Sequence, residues 1–198
     1  AAYNLATRLP DMPLLVSFLG AGLITTVVGL LFGLPSLRIK GFYLAVATLA
    51  AQFMIEWAFS SIGWFSGGTA TMTLVTPPMR IFGYHIHTPR QRYYLTLGIV
   101  MILTLLAKNL VRSQVGRPWM AIPDMDVAAE AMGTRPLTTK LLAFANSSFY
   151  AGVAGALYGF VFLTSVDITA FELDRSFRLL FMVIIGGLGS ILGSFLGA

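Results

Sequence analysis

The sequence predicts an all-α, polytopic integral membrane protein with about five transmembrane helices and a short polar helix between two of them. Three observations carry that prediction. Hydrophobic residues make up 57% of the 198 and charged residues only 11%, which is too apolar for a water-soluble domain of this size. Uncharged runs long enough to cross ~30 Å of hydrocarbon recur along the chain, and in lipid only helices or closed barrels satisfy the backbone. Those runs are far longer than the alternating segments of roughly ten residues that build a barrel.

A first span, about residues 13–34, carries no charge, and Gly29 and Gly33 give it a small-xxx-small spacing that lets another helix come close. The turn PSLRIKG comes next, with Arg38 and Lys40 placed to meet lipid headgroups. A second span, about 41–62, contains Glu56. Residues 63–92 form a polar connection rich in Gly, Pro and Thr. The third span, about 93–111, ends in Lys108 and Arg112, whose long stems can snorkel to the interface. A polar segment, 116–140, precedes a fourth span at about 141–164 and a short acidic loop at 165–174. A fifth apolar run, about 177–198, is glycine-rich throughout GGLGSILGSFLGA. The whole chain reads as a single transmembrane domain.

Several classes are excluded or disfavoured. There is no cysteine, so disulfides, thiol catalysis and Cys-type metal sites are ruled out. The formal charge of +5 is spread over loops and forms no run, so nucleic acid is not implied; it suits a protein facing anionic lipid. Five passes place seven Lys and Arg (38, 40, 108, 112, 117, 135, 140) on the side of the polar segment and six (8, 80, 90, 92, 175, 178) on the other. The positive-inside rule leans toward a cytoplasmic polar segment, by a margin of one. No basic region precedes the first apolar run, there is no initiator Met, and the sequence stops within an apolar run, so it reads as an internal piece of a longer protein.

The polar segment is the most informative stretch. It holds three of the eight carboxylates, Asp124, Asp126 and Glu130, with Arg117, Arg135 and Lys140 around them. Asp124 or Asp126 can cap a helix, because a carboxylate accepts the free N–H groups and suits the positive end of the helix dipole. Residues 127–132 continue it, Gly133 can take the left-handed conformation that ends it, and Arg135-Pro136 prevents its resumption. The product is two turns, about 10 Å long. Val127, Ala128, Ala131 and Met132 form its apolar face, with Glu130 off it. It is either an ordinary loop helix or one that docks in a cleft of a motor subunit.

AIPDMDVAAEAMGTRPLTTKLLAF (121–144) resembles the cytoplasmic loop of the membrane permeases of the branched-chain amino-acid ABC transporter family, M-type subunit. GFYLAVATLAAQF (41–53), FYAGVAGALYGF (149–160) and LLFMVIIGGLGSILGSFLGA (179–198) are similar to the same family, in its order and spacing. The resemblance implies that the loop, about 112–140, contacts an ATPase subunit, with Arg117, Asp124, Asp126, Ala129, Glu130 and Gly133 in the matching positions. Pro123 departs from it, where many members carry a basic residue, as does Asn146, usually apolar. It further implies a bacterial cytoplasmic membrane location, a second homologous permease subunit, two ATPase subunits and a soluble solute-binding protein outside. ATP would be bound by the partner, with no cofactor on this chain. The solute would be a branched-chain amino acid, or urea or a short amide, since permeases for those share the pattern.

Candidates for the translocation path come from three places. Glu56 is a carboxylate within an apolar run; it either snorkels to the interface beside Trp57 or lines a polar pathway. Gly67 and Gly68, in SSIGWFSGGTATMT, offer free backbone N–H groups that a zwitterionic solute could meet, or belong to a plain flexible loop. Gly186, Gly187 and Gly189, with Gly193 and Gly197, either pack helices tightly or break a helix beside the path. GLGSILG lacks the GxGxxG spacing and has no GK[ST] after it, so it does not read as a nucleotide site. His85 and His87 have no third ligand nearby and read as a solvated pair. Asn146-Ser-Ser is a sequon inside a span and more readily hydrogen-bonds between helices. A membrane-embedded lipid-modifying enzyme would need clustered Asp, His or Glu at one membrane face, and none is visible. A purely structural membrane partner is the remaining alternative.

Overall fold

A computed structural model of the protein describes residues 14–36, 42–61, 74–75, 80–81, 84–85, 88–121, 136–163, 165–166, 171, 173–187 and 189–198. The helices are α1 (Leu14–Ser36), α2 (Phe42–Ser61), α3 (Pro89–Arg112), α4 (Gly116–Ala121), α5 (Pro136–Leu157), α6 (Leu173–Gly186) and α7 (Ile191–Leu196). A π-helical turn, Tyr158–Phe162, extends α5. Among the described residues, four two-residue strands form two antiparallel ladders, β1 (Leu74–Val75) with β4 (Ser165–Val166) and β2 (Arg80–Ile81) with β3 (Tyr84–His85). They are clasps between connecting segments, and the protein is an all-α membrane protein.

Among the described residues three helices are long and apolar enough to cross a membrane: Leu14–Pro35, Pro89–Arg112 and Leu137–Phe162. The apolar part of α2, Val46–Ala58, is shorter. The run at 177–198 is two helices joined by a turn, α6 and α7, rather than one continuous helix. Two spans begin earlier than the apolar pattern alone indicates. α3 starts at Pro89, four residues upstream, because Pro is pre-organised for the first helical position and Gln91 Oε1 accepts from the Thr88 N–H (3.5 Å) and hydroxyl (3.2 Å). α5 likewise starts at Pro136.

The chain divides into two compact units, one of Ala1–Ala51 with Thr76–Thr164 and the other of Gln52–Val75 with Ser165–Ala198. In the first, α1 and α5 pack against each other along their length. Gly33 meets Phe144, Gly29 meets Ser148, Gly152 meets Thr25, and Phe18 meets Phe160 edge-on at 5.8 Å. Residue numbers fall along α1 as they rise along α5, so the pair is antiparallel. Lipid is as apolar as leucine, so this contact rests on close van der Waals packing rather than on removal of surface from water. Phe18, 2% exposed, anchors the buried cluster with Leu14, Ala21, Val153, Ala156, Leu157 and Phe160.

α3 lays Leu95, Ile99 and Leu103 against this cluster, and the Tyr150 hydroxyl donates to the Leu103 carbonyl at 3.3 Å. The opposite face of α1, Leu19, Leu23, Val27 and Leu31, points outward. Three threonine hydroxyls within the spans are absorbed locally. Thr25, Thr26 and Thr104 donate to the carbonyls of Ala21, Gly22 and Val100 at 2.7–2.8 Å, so they enter the apolar layer with their donors satisfied.

Candidate functional site

Candidate functional residues lie at two turns of the fold, one in each unit, and at Glu56 in α2. The first is the turn that leads from α3 into the polar segment. Ser113 builds it. Its backbone is extended (φ −73°, ψ 169°), which ends α3, and its hydroxyl donates to the Leu110 carbonyl at 2.6 Å. The same side-chain oxygen accepts from the N–H groups of Val115 (3.3 Å) and Gly116 (3.4 Å). Its carbonyl accepts from Gly116 (3.1 Å) and Arg117 (3.3 Å), so one serine closes one helix and caps the next.

Gly116 is required by space. A Cβ there would collide with the Leu110 and Val111 carbonyls and lie 2.6 Å from Val111 Cα. Pro118, in the first turn of α4, stands where an N–H would go unused. α4 packs against the ends of α3 and α5, with Arg117 exposed and the Trp119 Nε1 buried without an acceptor among the described residues. The polar segment is thus fastened at both ends to membrane-length helices. Of the residues expected to couple, Arg117 sits on this platform. Asp124, Asp126, Ala129, Glu130 and Gly133 lie outside the described residues, as do Gly67 and Gly68.

The second place is the turn between α6 and α7. The Gly187 N–H donates to the carbonyls of Val183 (3.1 Å) and Ile184 (3.3 Å), closing α6. Gly187 (φ 104°) and Gly189 (φ 88°) occupy the left-handed region, which glycine enters without a Cβ penalty. Ser190 then caps α7, its side chain accepting from the Gly193 N–H at 3.1 Å. Gly186 and Gly193 face each other so closely that a Cβ on either would strike the other's carbonyl, and a Cβ on Gly197 would strike the Met182 carbonyl.

Gly186, Gly187 and Gly189 are therefore brought together, with two jobs among them: Gly186 gives close approach and the other two give backbone freedom. Glu56 is half-buried in α2, five residues before the helix ends. Among the described residues no three His, Cys, Asp or Glu side chains gather as a metal ion would need.

A family model described as "Branched-chain amino acid transport system / permease component" matches residues 1–198. The chain belongs to this family. Its relatives include the high-affinity branched-chain amino acid transport system permease proteins LivM of Salmonella typhimurium and Escherichia coli. Each is 29% identical over 197 residues, a match covering 86% of this chain and 45% of the relative. A probable branched-chain amino acid transport permease protein LivM from Methanocaldococcus jannaschii is 25% identical over 189 residues, covering 93% of this chain and 53% of its own. The chain spans about half the length of the curated relatives it matches. No solved structure matches it.

Sequence reasoning missed Ser113, Gly116 and Gly152. The first two had a signal, a serine directly after the basic end of a span and three residues before a glycine. Gly152 had less, because its contact with Thr25 depends on the register between α1 and α5.

Proposed function

We propose that this chain forms part of a permease subunit of an ATP-driven importer that moves branched-chain amino acids across the bacterial cytoplasmic membrane. The family match over all 198 residues carries the reading. The names of the relatives support the solute class. A second permease subunit, two ATPase subunits and an external binding protein complete the machine in this reading, and ATP is hydrolysed by the partners.

The polar segment is the coupling element. Its flanks, Ser113–Ala121 and the start of α5, are tied to two membrane-length helices that pack in one unit, so a push on the segment reaches α3 and α5 directly. Arg117 stands exposed at its entrance, and Asp124, Asp126, Ala129, Glu130 and Gly133 come after it in the docking stretch. Glu56 with Gly67 and Gly68 are assigned to the solute path, and Gly186, Gly187 and Gly189 to a bend beside it.

The test is reconstitution of the full-length subunit with its partners in liposomes. ATP-dependent leucine uptake is expected, with isoleucine and valine competing and urea and acetamide not. Uptake of urea in place of leucine would reject the solute class and leave the permease standing. Glu130→Arg combined with Gly133→Pro should strip the ATPase subunits from the purified complex and lower uptake at least tenfold. Unchanged co-purification of the ATPase sinks the docking role.

A further inference from the structure

The run Leu173–Gly197 is long enough and apolar enough to be counted as a fifth crossing, yet its geometry does not permit one. α6 has 14 residues and so is about 21 Å long, short of the ~30 Å hydrocarbon layer. It ends at Gly186, and the left-handed Gly187 and Gly189 turn the chain round. α7 then runs back. Gly193 lies against Gly186 and Gly197 against Met182, so residue numbers rise on α7 as they fall on α6, and the two are antiparallel.

Charge is confined to the base. Asp174, Arg175 and Arg178 occupy the first turns of α6, with the Arg178 Nε bonded to the Asp174 carboxylate at 2.8 Å and both side chains 65% exposed. From residue 179 to residue 198 there is no charge at all. Outward-facing side chains there are apolar on both helices, with Ile185 80%, Leu192 76% and Leu196 87% exposed. A hairpin lying flat on the membrane would keep a polar face toward water along its whole length. This one is charged only at its base, and Ser190 and Ser194 nearer the tip bond to its own backbone.

We infer that Leu173–Gly197 is a re-entrant helical hairpin that enters the membrane from one face, turns at Gly187–Gly189 and heads back toward the same face. The Asp174–Arg178 pair sits at headgroup level, and the tip lies about 12 Å deeper, near the bilayer centre. A backbone turn at that depth leaves polar groups that lipid cannot satisfy, so the backbone of the tip faces protein or a hydrated cavity, as in broken membrane helices, while the outward Leu192 side chain faces apolar surroundings. One consequence is topological: α7 carries the chain back toward the face on which α6 began, and not on to the opposite face. The inference depends on the membrane location alone, not on the solute or the ATPase.

The absence of cysteine from these 198 residues makes single-cysteine reporters clean, once any cysteine elsewhere in the full-length protein is replaced. Ser176, Leu192 and Ala198 are all exposed, so cysteine there leaves the packing intact. In the full-length protein carrying Ser176→Cys and Ala198→Cys, spin labels should lie less than about 20 Å apart, against about 33 Å for a straight helix. A distance near the larger value overturns the hairpin. In sealed vesicles of one orientation, a membrane-impermeant maleimide should reach Ser176→Cys from one side and should not reach Ala198→Cys from the other. Labelling from opposite sides overturns re-entry. A nitroxide at Leu192→Cys should exclude a water-soluble nickel chelate, and access to the chelate equal to that at Ser176 overturns insertion of the tip. Loss of leucine transport in an otherwise hairpin-shaped protein would count against the permease reading and not against this one.

Discussion

The α1–α5 pair and the α6–α7 hairpin are both held together by glycines, but the glycines face different neighbours. On α1, a Cβ at Gly22 would meet the ring of Phe149 and a methyl of Val153, both at 2.8 Å, and a Cβ at Gly29 would meet the Ser148 side chain. In the hairpin, a Cβ at Gly186, Gly193 or Gly197 would meet a backbone carbonyl. Side chains have other rotamers to adopt, whereas a carbonyl moves only with its helix. The long pair is therefore adjustable and the hairpin is all-or-none. That difference suits their lengths, since two helices in contact over many turns distribute a local error and a six-residue helix cannot.

The sharpest way to break this contrast is to put the same side chain into both contacts. Gly193→Val should force α7 off α6 and cost more than about 3 kcal/mol, beyond the usual range for overpacking. Gly22→Val meets movable atoms and should cost about 1–3 kcal/mol. Unfolding of the full-length protein by graded SDS in mixed micelles measures both. Equal costs would mean that the hairpin relaxes as easily as the long interface, and the distinction between carbonyl and side-chain neighbours would fall.

A smaller effect sharpens the adjustable side. Gly29→Ala drives a methyl into the Ser148 side chain and should cost about 1–3 kcal/mol on the same scale. Ser148→Gly vacates that space. The double variant should recover at least half of the loss, a coupling of about 0.5–3 kcal/mol as expected of residues in direct contact. Strictly additive losses would show that the methyl at position 29 is opposed by something other than Ser148.

Much of this was legible in the sequence, and the boundary of legibility has a physical shape. The three long spans and their apolar character come from charge-free runs. The small-xxx-small spacing at Gly29 and Gly33 marked the face of α1 that does contact a partner helix. What spacing could not supply is the identity of the facing residue: Ser148 and Gly152 are set by the antiparallel register of two segments more than a hundred residues apart. Nor could it separate the two jobs of glycine in GGLGSILGSFLGA, because close approach and a positive φ select the same residue. Ser113 had a signal, but its double role depends on α3 ending one residue before it, a boundary that apolar periodicity leaves open by several residues. The residues proposed to dock, other than Arg117, lie outside the described part of the fold, so the coupling site is a reading of sequence and family.

The smallest expected effect lies at Thr25, which sits where α1 meets Gly152 of α5. A polar residue at a helix contact in lipid invites the idea that it bonds across the interface and holds the pair together. Its hydroxyl instead donates to the Ala21 carbonyl, one turn back on its own helix, at 2.8 Å. Thr25→Val keeps the branched shape that fills the space beside Gly152 and removes a hydrogen bond internal to α1. The carbonyl it releases keeps its helical N–H partner, so no buried group is left unpaired, and back-bonding of this kind contributes little to a helix. The same SDS titration should place Thr25→Val within about 0.5 kcal/mol of the parent protein, the range of a substitution without a packing or pairing defect. A loss well above that would mean the hydroxyl bridges to α5, and the α1–α5 pair would then be joined by polar contacts as well as by fit.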